Sequence, residues 1–380
     1  MSALFSSYSL GPVQLPNRIV VSPMCQYIAR DGMAGNWHLQ HLSQYALSGA
    51  GLVMLESTAV EPRGRITHGC LGLYSPETEA ALGCVMAVAR GFAAPGTKFG
   101  IQLGHAGRKA STRVPWRGGA HLSEADPDTE GQPWPAVAPS SLPFGSCAVP
   151  EALTRAQLDE IEAAYVAAAQ AAVRLGFDVV EIHCAHGYLM HQFLSPLSNR
   201  REDEFGGSVE ARQRWPLQVA ASVKAVLPDH VAFGARITAN EWTEGGLDLD
   251  HAVDFTRKLK ALGADYVCVS SGSVDAGTRI PFAPGFQVPF AAAIRRQTGI
   301  TTRAVGAISE PLQAQEIVAD GHADLVALAR AFLADPRWVW RAAEELGAST
   351  HYPPPYERAK GLRHEGPAKA QPRKTAPASA

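Results

Sequence analysis

Apolar residues in this chain are gathered into short dense runs separated by longer amphipathic stretches. The runs are Arg18 to Met24, Gly51 to Thr58, Lys98 to Leu103, Phe177 to His183, Val231 to Ile237, Tyr266 to Ser271, Thr302 to Gly306 and Leu325 to Ala329. Most lack the in/out alternation of a half-exposed sheet, which predicts strands covered on both faces. Helices are predicted between them from their start signals. Ser75-Pro76 and Asp335-Pro336 each offer an N-cap followed by proline in the first turn, and Thr154 with Gln157 fits a capping box.

Strand and helix alternate about eight times with no second composition regime, which favours one (β/α)8 barrel with a short N-terminal cap over a doubly wound sheet. Two segments interrupt the pattern. His105 to Pro150, after the third strand, is rich in Gly, Pro and Ser and too long for an ordinary connection. Loops of that kind on the carboxyl side of a barrel are usually functional covers. Residues 359–380 are rich in Ala, Pro and Lys with almost nothing to bury. The expected organisation is a barrel over 1–358 and a disordered tail over 359–380.

Composition narrows the class. Of 380 residues 46% are apolar, enough for a core, and a net charge of -2 supplies no field to attract nucleic acid or anionic lipid. The six cysteines are scattered without C-x-x-C or zinc-ligand spacing, which reads as free thiols in a reducing compartment. The N-terminus lacks the pattern of a secretory signal, and no apolar run approaches the roughly 18 residues of a membrane-spanning helix. A cytoplasmic protein is expected.

The chemistry gathers at strand ends. Gly176 to Leu189 reads as an apolar strand that then delivers His183, His186 and Tyr188 within six residues. As a clamp, two imidazoles donate to an oxygen that gains negative charge while the phenol supplies a proton. A metal site and a pair of structural histidines are the alternatives, although H-x-x-H does not put both rings on one strand face. Ser22, Pro23, Met24, Cys25 and Tyr27 close the first strand, where backbone, thiol and phenol could line a flat ligand; Met and free Cys are equally ordinary in a core. Gln102 and Arg236 end the third and fifth strands. Such groups inside a barrel need either a polar ligand or internal partners. Gly306 and Ala307 after the seventh strand, with Ala329 and Arg330 after the eighth, occupy the position where this fold commonly holds phosphate. No ATPase loop and no Rossmann fingerprint is present.

Read together, SPMCQY at Ser22 to Tyr27, HAGRKA at His105 to Ala110, HCAHGYLMHQFLSPLSNRR at His183 to Arg201, FGGS at Phe205 to Ser208 and PGFQVPF at Pro284 to Phe290 resemble the old yellow enzymes. Within them the chain is similar to the thermophilic-like branch that includes xenobiotic reductases. The resemblance runs from about Leu4 to Arg358.

That resemblance implies non-covalent FMN and reduction of activated alkenes with NADPH, or NADH, in ping-pong turnover through reduced FMN. It implies flavin contacts from Ser22, Pro23, Met24, Cys25, Ala59, Gln102, Arg236, Gly306, Ala307, Ala329 and Arg330. His183 and His186 would hold the substrate carbonyl or nitro oxygen with help from Tyr27, Tyr188 would protonate the α carbon, and Cys25 would tune the flavin. No metal is implied. The motif Tyr356-Glu357-Arg358 implies a homodimer or homotetramer in which Arg358 enters a neighbouring subunit's site. The chain departs from the family pattern at Ala329-Arg330, commonly Gly-Arg, where a β carbon would sit near the phosphate.

Overall fold

A computed structural model describes residues 2–123 and 131–361. Eight parallel strands close into a barrel: β1 Ile19–Val21, β2 Leu52–Ala59, β3 Lys98–Gly104, β4 Val179–Cys184, β5 Ala232–Thr238, β6 Tyr266–Ser270, β7 Thr301–Val305 and β8 Leu325–Leu328. They run round the barrel in sequence order. Closure is made by β8 against β1, with Val326 opposite Ile19 and Leu328 opposite Val21. All eight expected strands are present. The first is shorter than expected, because after Val21 the chain leaves the ladder: Ser22 N–H still donates to Leu328 O at 2.9 Å, but Pro23 has no N–H to continue the pattern.

Helices cover the outside: α1 Asn36–Ala46, α2 Pro76–Gly91, α3 Arg155–Arg174, α4 Leu189–Leu194, α5 Val209–Val226, α6 Leu249–Ala261, α7 Val288–Thr298, α8 Pro311–Ala319, α9 Arg330–Ala334 and α10 Trp338–Glu345. Ser75 caps α2 and Thr154 caps α3, each accepting the N–H three residues on. One expected start is corrected. Asp335 ends α9 and α10 begins at Trp338; the Asp335 carboxylate does accept the Arg337 N–H at 2.9 Å, but in a turn between the two helices.

The amino ends of the strands are stoppered by an N-terminal hairpin, Tyr8–Leu10 paired with Val13–Leu15. Its Leu10, Val13 and Leu15 are buried against Val20, Leu52, Val179, Tyr266 and Leu325 inside the barrel. Above this apolar plug lies a polar layer. Glu181 on β4 accepts from Gln102 Nε2 on β3 at 2.7 Å and from the Tyr266 hydroxyl on β6 at 2.8 Å, and it pairs with Arg303 on β7. All four side chains are buried. Buried charge of this kind is tolerated only when paired and hydrogen-bonded.

The segment after β3 contains two 3-10 turns, Gly107–Lys109 and Pro115–Arg117, and a short strand Val137–Ala138 beside Glu151–Ala152. The expected tail over 359–380 falls almost wholly outside the described residues; Ala359 closes the 3-10 turn Pro354–Ala359.

Candidate active site

The carboxyl ends of the strands carry the polar residues. On β4 successive side chains alternate in and out, so Glu181 and His183 both face the interior, with His183 two residues nearer the mouth. His186 lies past the strand end in the left-handed region, φ 60°. That turn brings its ring back onto His183, with centroids 5.0 Å apart. Strand periodicity alone would have kept the two rings on opposite faces. Tyr188 follows as the N-cap of α4, its ring 4.9 Å from His183 and 6.5 Å from His186.

The donor pattern orients the two histidines. Ala185 N–H donates to His183 Nδ1 at 3.2 Å, so a neutral His183 carries its proton on Nε2. That Nε2 lies 3.3 Å from His186 Nδ1. The two nitrogens therefore face each other across a hydrogen-bond distance. Burial, reinforced by the positive charge of Arg236, holds both imidazoles well below the ordinary histidine range, so both are neutral at pH 7. Burial, then the nearby Cys25 sulfur, raises the Tyr188 phenol; it stays protonated at neutral pH. The Tyr27 phenol is raised by the same two causes. Its ring meets the exposed Trp116 edge-on at 6.1 Å. Burial and the Glu56 carboxylate push the Cys25 thiol well up, so Cys25 is a neutral thiol rather than a thiolate.

A cavity of about 570 Å³ opens beside this cluster and is lined by Arg236, Ser270, Gln287, Gly306, Ala307, Ala329 and Arg330, among others. The size is that of a small-ligand or cofactor site. Gly306 has φ 119°, and a Cβ there would lie 2.6 Å from Gln287 Nε2, so only glycine fits. Ala329 has φ -113°, a conformation that needs no glycine, which is why alanine is accommodated beside Arg330. Arg330 begins α9 and lies 4.8 Å under the ring of Phe282. Arg236 Nε is buried without a protein partner. Gln102, by contrast, spends its amide nitrogen on Glu181, and its internal hydrogen bond is real. An unpartnered guanidinium, a glycine cradle and a second arginine at a helix start fit a phosphorylated heterocycle such as FMN.

Ala59 and Tyr188 line a separate small recess at the same end of the barrel. Ser22, Pro23, Met24, Cys25 and Tyr27 form the loop after β1, tied down by Gln26 N–H donating to Glu56 Oε2 at 3.0 Å. Arg358 is exposed on the 3-10 turn Pro354–Ala359 and lines neither space. Among the described residues, no group of three or more His, Cys, Asp or Glu side chains is placed to hold a metal ion.

Several supporting residues had no sequence signal of their own. Lys109 Nζ donates to His186 O at 2.9 Å and to Ser273 O at 3.1 Å, and sits 5.3 Å from the centre of the Tyr188 ring. Burial and the neighbouring Arg108 push it down to about 8. His191 Nδ1 accepts the Gly187 N–H at 2.8 Å, and its Nε2 lies 2.9 Å from Glu241 Oε1, a fully buried couple behind the loop. Ser270 and Gln287 complete the set. Lys109, His191 and Gln287 lie within HAGRKA, HCAHGYLMHQFLSPLSNRR and PGFQVPF, quoted above, whereas Ser270 lies in none of these motifs; most of their partners come from strands and loops distant in sequence, so no local spacing announces their roles.

A closed parallel barrel with a polar cluster and an arginine-lined cavity at its carboxyl end is the architecture of the FMN-dependent TIM-barrel oxidoreductases. The chain belongs to the NADH:flavin oxidoreductase / NADH oxidase family, whose pattern matches residues 3–348. It is 41% identical over 362 residues to an NADPH dehydrogenase of Listeria innocua serovar 6a, covering 94% of this chain and 99% of that one. It is likewise 41% identical over 358 residues to an NADPH dehydrogenase of a Geobacillus species, covering 93% and 98%. Among solved structures, morphinone reductase in complex with tetrahydroNAD superposes with a TM-score of 0.74 at 28% identity, covering 93% of each chain. A 2-naphthoyl-CoA reductase complex shares the fold, with a TM-score of 0.80 at 21% identity over 90% of this chain and 52% of that one. The resemblance to the old yellow enzymes holds at the level of the family.

Proposed function

We propose that this protein is an NADPH-dependent ene reductase of the thermophilic-like branch, reducing the C=C bond of α,β-unsaturated carbonyl or nitro compounds. The observation that carries the reading is the pairing of His183 Nε2 and His186 Nδ1, 3.3 Å apart, at the barrel mouth. Bound FMN supplies the hydride chemistry that links NADPH to the β carbon of the alkene, the two substrates using the site in turn. The chain's own residues do the rest. As hydride reaches the β carbon, charge develops on the carbonyl or nitro oxygen, where two neutral imidazoles donate without first being desolvated at a cost. Tyr27 completes the rim of that oxygen site.

Tyr188 then gives its proton to the α carbon; a phenol kept protonated by burial is suited to that role. Cys25, a neutral thiol, would lie against the flavin and adjust its potential. Gly306, Ala307, Ala329 and Arg330 would hold the phosphate of FMN, and Ser22 to Cys25, Ala59, Gln102 and Arg236 would hold the rest of it. Residues 1–358 form the catalytic unit of a cytoplasmic enzyme, in keeping with six free thiols and with the lack of any helix among the described residues long and apolar enough to cross a membrane. Arg358, exposed in one chain, would complete the site of a second subunit in a homodimer or homotetramer.

The test is an absorption spectrum. Purified protein incubated with FMN should be yellow, bleach anaerobically with NADPH and recolour on addition of 2-cyclohexenone. Protein that stays colourless, or that bleaches and fails to recolour with any activated alkene, overturns the proposal.

A further inference from the structure

The hydrogen bonds behind His186 form a chain whose direction is fixed at both ends. At one end Ala185 N–H can only donate, and it donates to His183 Nδ1 at 3.2 Å. At the other, Val305 O can only accept, and it accepts from Gln287 Nε2 at 2.8 Å, which orients the amide so that Gln287 Oε1 faces Ser270 at 3.3 Å and Ser271 at 2.6 Å. Between them His183 Nε2 meets His186 Nδ1, and His186 Nε2 meets Ser270 Oγ at 2.7 Å. A single assignment satisfies every link. His183 Nε2–H donates to His186 Nδ1, His186 Nε2–H donates to Ser270, and the Ser270 hydroxyl donates to Gln287.

In that arrangement His186 presents a lone pair, not a proton, toward the point where a substrate oxygen would sit. A clamp with two donors needs the other tautomer, with the proton on Nδ1. Ser270 can serve it. Its hydroxyl turns from Gln287 to donate to His186 Nε2, and Gln287 Oε1 keeps the closer Ser271 hydroxyl, so no buried acceptor is abandoned. The exchange is balanced in protons: water gives one to Nδ1 and takes one from Nε2, and the ring stays neutral.

We propose that Ser270, backed by Gln287 and Ser271, is a positioning residue that holds His186 as the Nε2–H tautomer in the free site and as the Nδ1–H tautomer when a carbonyl oxygen occupies the clamp. The inference rests on the ene reductase reading for the identity of that oxygen.

The experiment uses the oxidised FMN holoenzyme with 15N-labelled histidine, and reads the ring nitrogens of His186 by NMR with and without 2-cyclohexenone. The expected result is a protonated Nε2 in the free protein and a protonated Nδ1 in the complex. Ser270→Thr should retain the switch; Ser270→Ala should lose the preference in the free protein and reduce alkene turnover about tenfold, less than loss of a donor itself. The same nitrogen protonated in both wild-type states, or an unaltered switch in Ser270→Ala, overturns the proposal. If Ser270→Ala does not fold, the wild-type pair of spectra decides alone. Failure of the parent reading is a separate outcome, since it appears as wild-type protein that never oxidises NADPH with an alkene.

Discussion

Lys109 joins two backbone anomalies to one phenol. His186 and Ser273 are both left-handed, φ 60° and 73°, and both turn their carbonyl oxygens to its Nζ. The same ammonium lies near the face of Tyr188, where, in the proposed mechanism, it would stabilise the phenolate left after proton donation. Being held down to about 8, it is charged below that pH and neutral above it. Turnover with 2-cyclohexenone should therefore fall as pH rises through about 8. Lys109→Met should be slower by about tenfold, equivalent to roughly 1.4 kcal/mol, and should lack this alkaline limb. A pH–rate profile of the two proteins checks both statements; an identical limb in Lys109→Met would assign it to another group. The histidines bear on acid stability in the opposite sense. Their depressed folded-state pKa values mean that the unfolded chain takes up protons first as pH falls below about 6.5, so stability is lost there.

At the scale of the element, the loop from β4 to α4 is sensitive to a single methyl group. Gly187 has φ 70°, and a Cβ there would lie 2.3 Å from Ser273 O. Gly187→Ala should push Ser273 away from Lys109 and swing Tyr188, lowering alkene turnover by about 100-fold or more while the barrel still unfolds cooperatively. Circular dichroism melts beside steady-state rates test this, and a variant with full activity would show that the loop tolerates displacement. The strands themselves were readable in sequence because doubly buried strands are written as continuous apolar runs. The start of α10 was not, since Asp335-Pro336 carries the same signature whether the proline opens a helix or a turn. His183, His186 and Tyr188 were visible as residue types, yet their convergence depends on the left-handed turn at His186, which a non-glycine residue does not advertise. The roles of Ser270 and Gln287 were hidden for a different reason, although Gln287 lies within PGFQVPF. Their roles come from the order of strands round the barrel.

For the whole molecule, the layer of Gln102, Glu181, Tyr266 and Arg303 ties four strands together between the apolar plug and the active end. Glu181→Gln would strand the Arg303 charge in a buried site, at a cost of about 3–5 kcal/mol. The urea midpoint should drop accordingly, whereas a shape-matched apolar replacement of both partners should restore much of it. An unchanged midpoint for Glu181→Gln would mean that Arg303 finds a new partner.

The closure of β8 on β1 has a consequence for how the molecule is made. Val21 and Leu328 are partners across the seam, yet roughly 300 residues separate them, so at about 5–20 residues/s a ribosome needs on the order of 15 to 60 s to supply the second after the first. Through that interval the exposed edge of β1 waits. The two sides of the site proposed for the flavin, Ser22 to Cys25 at one extreme and Gly306 to Arg330 at the other, meet only when translation of the barrel is complete. Cofactor capture at that site would thus be postponed to the last step of birth, and a chain interrupted before Leu325 would lack one side of it.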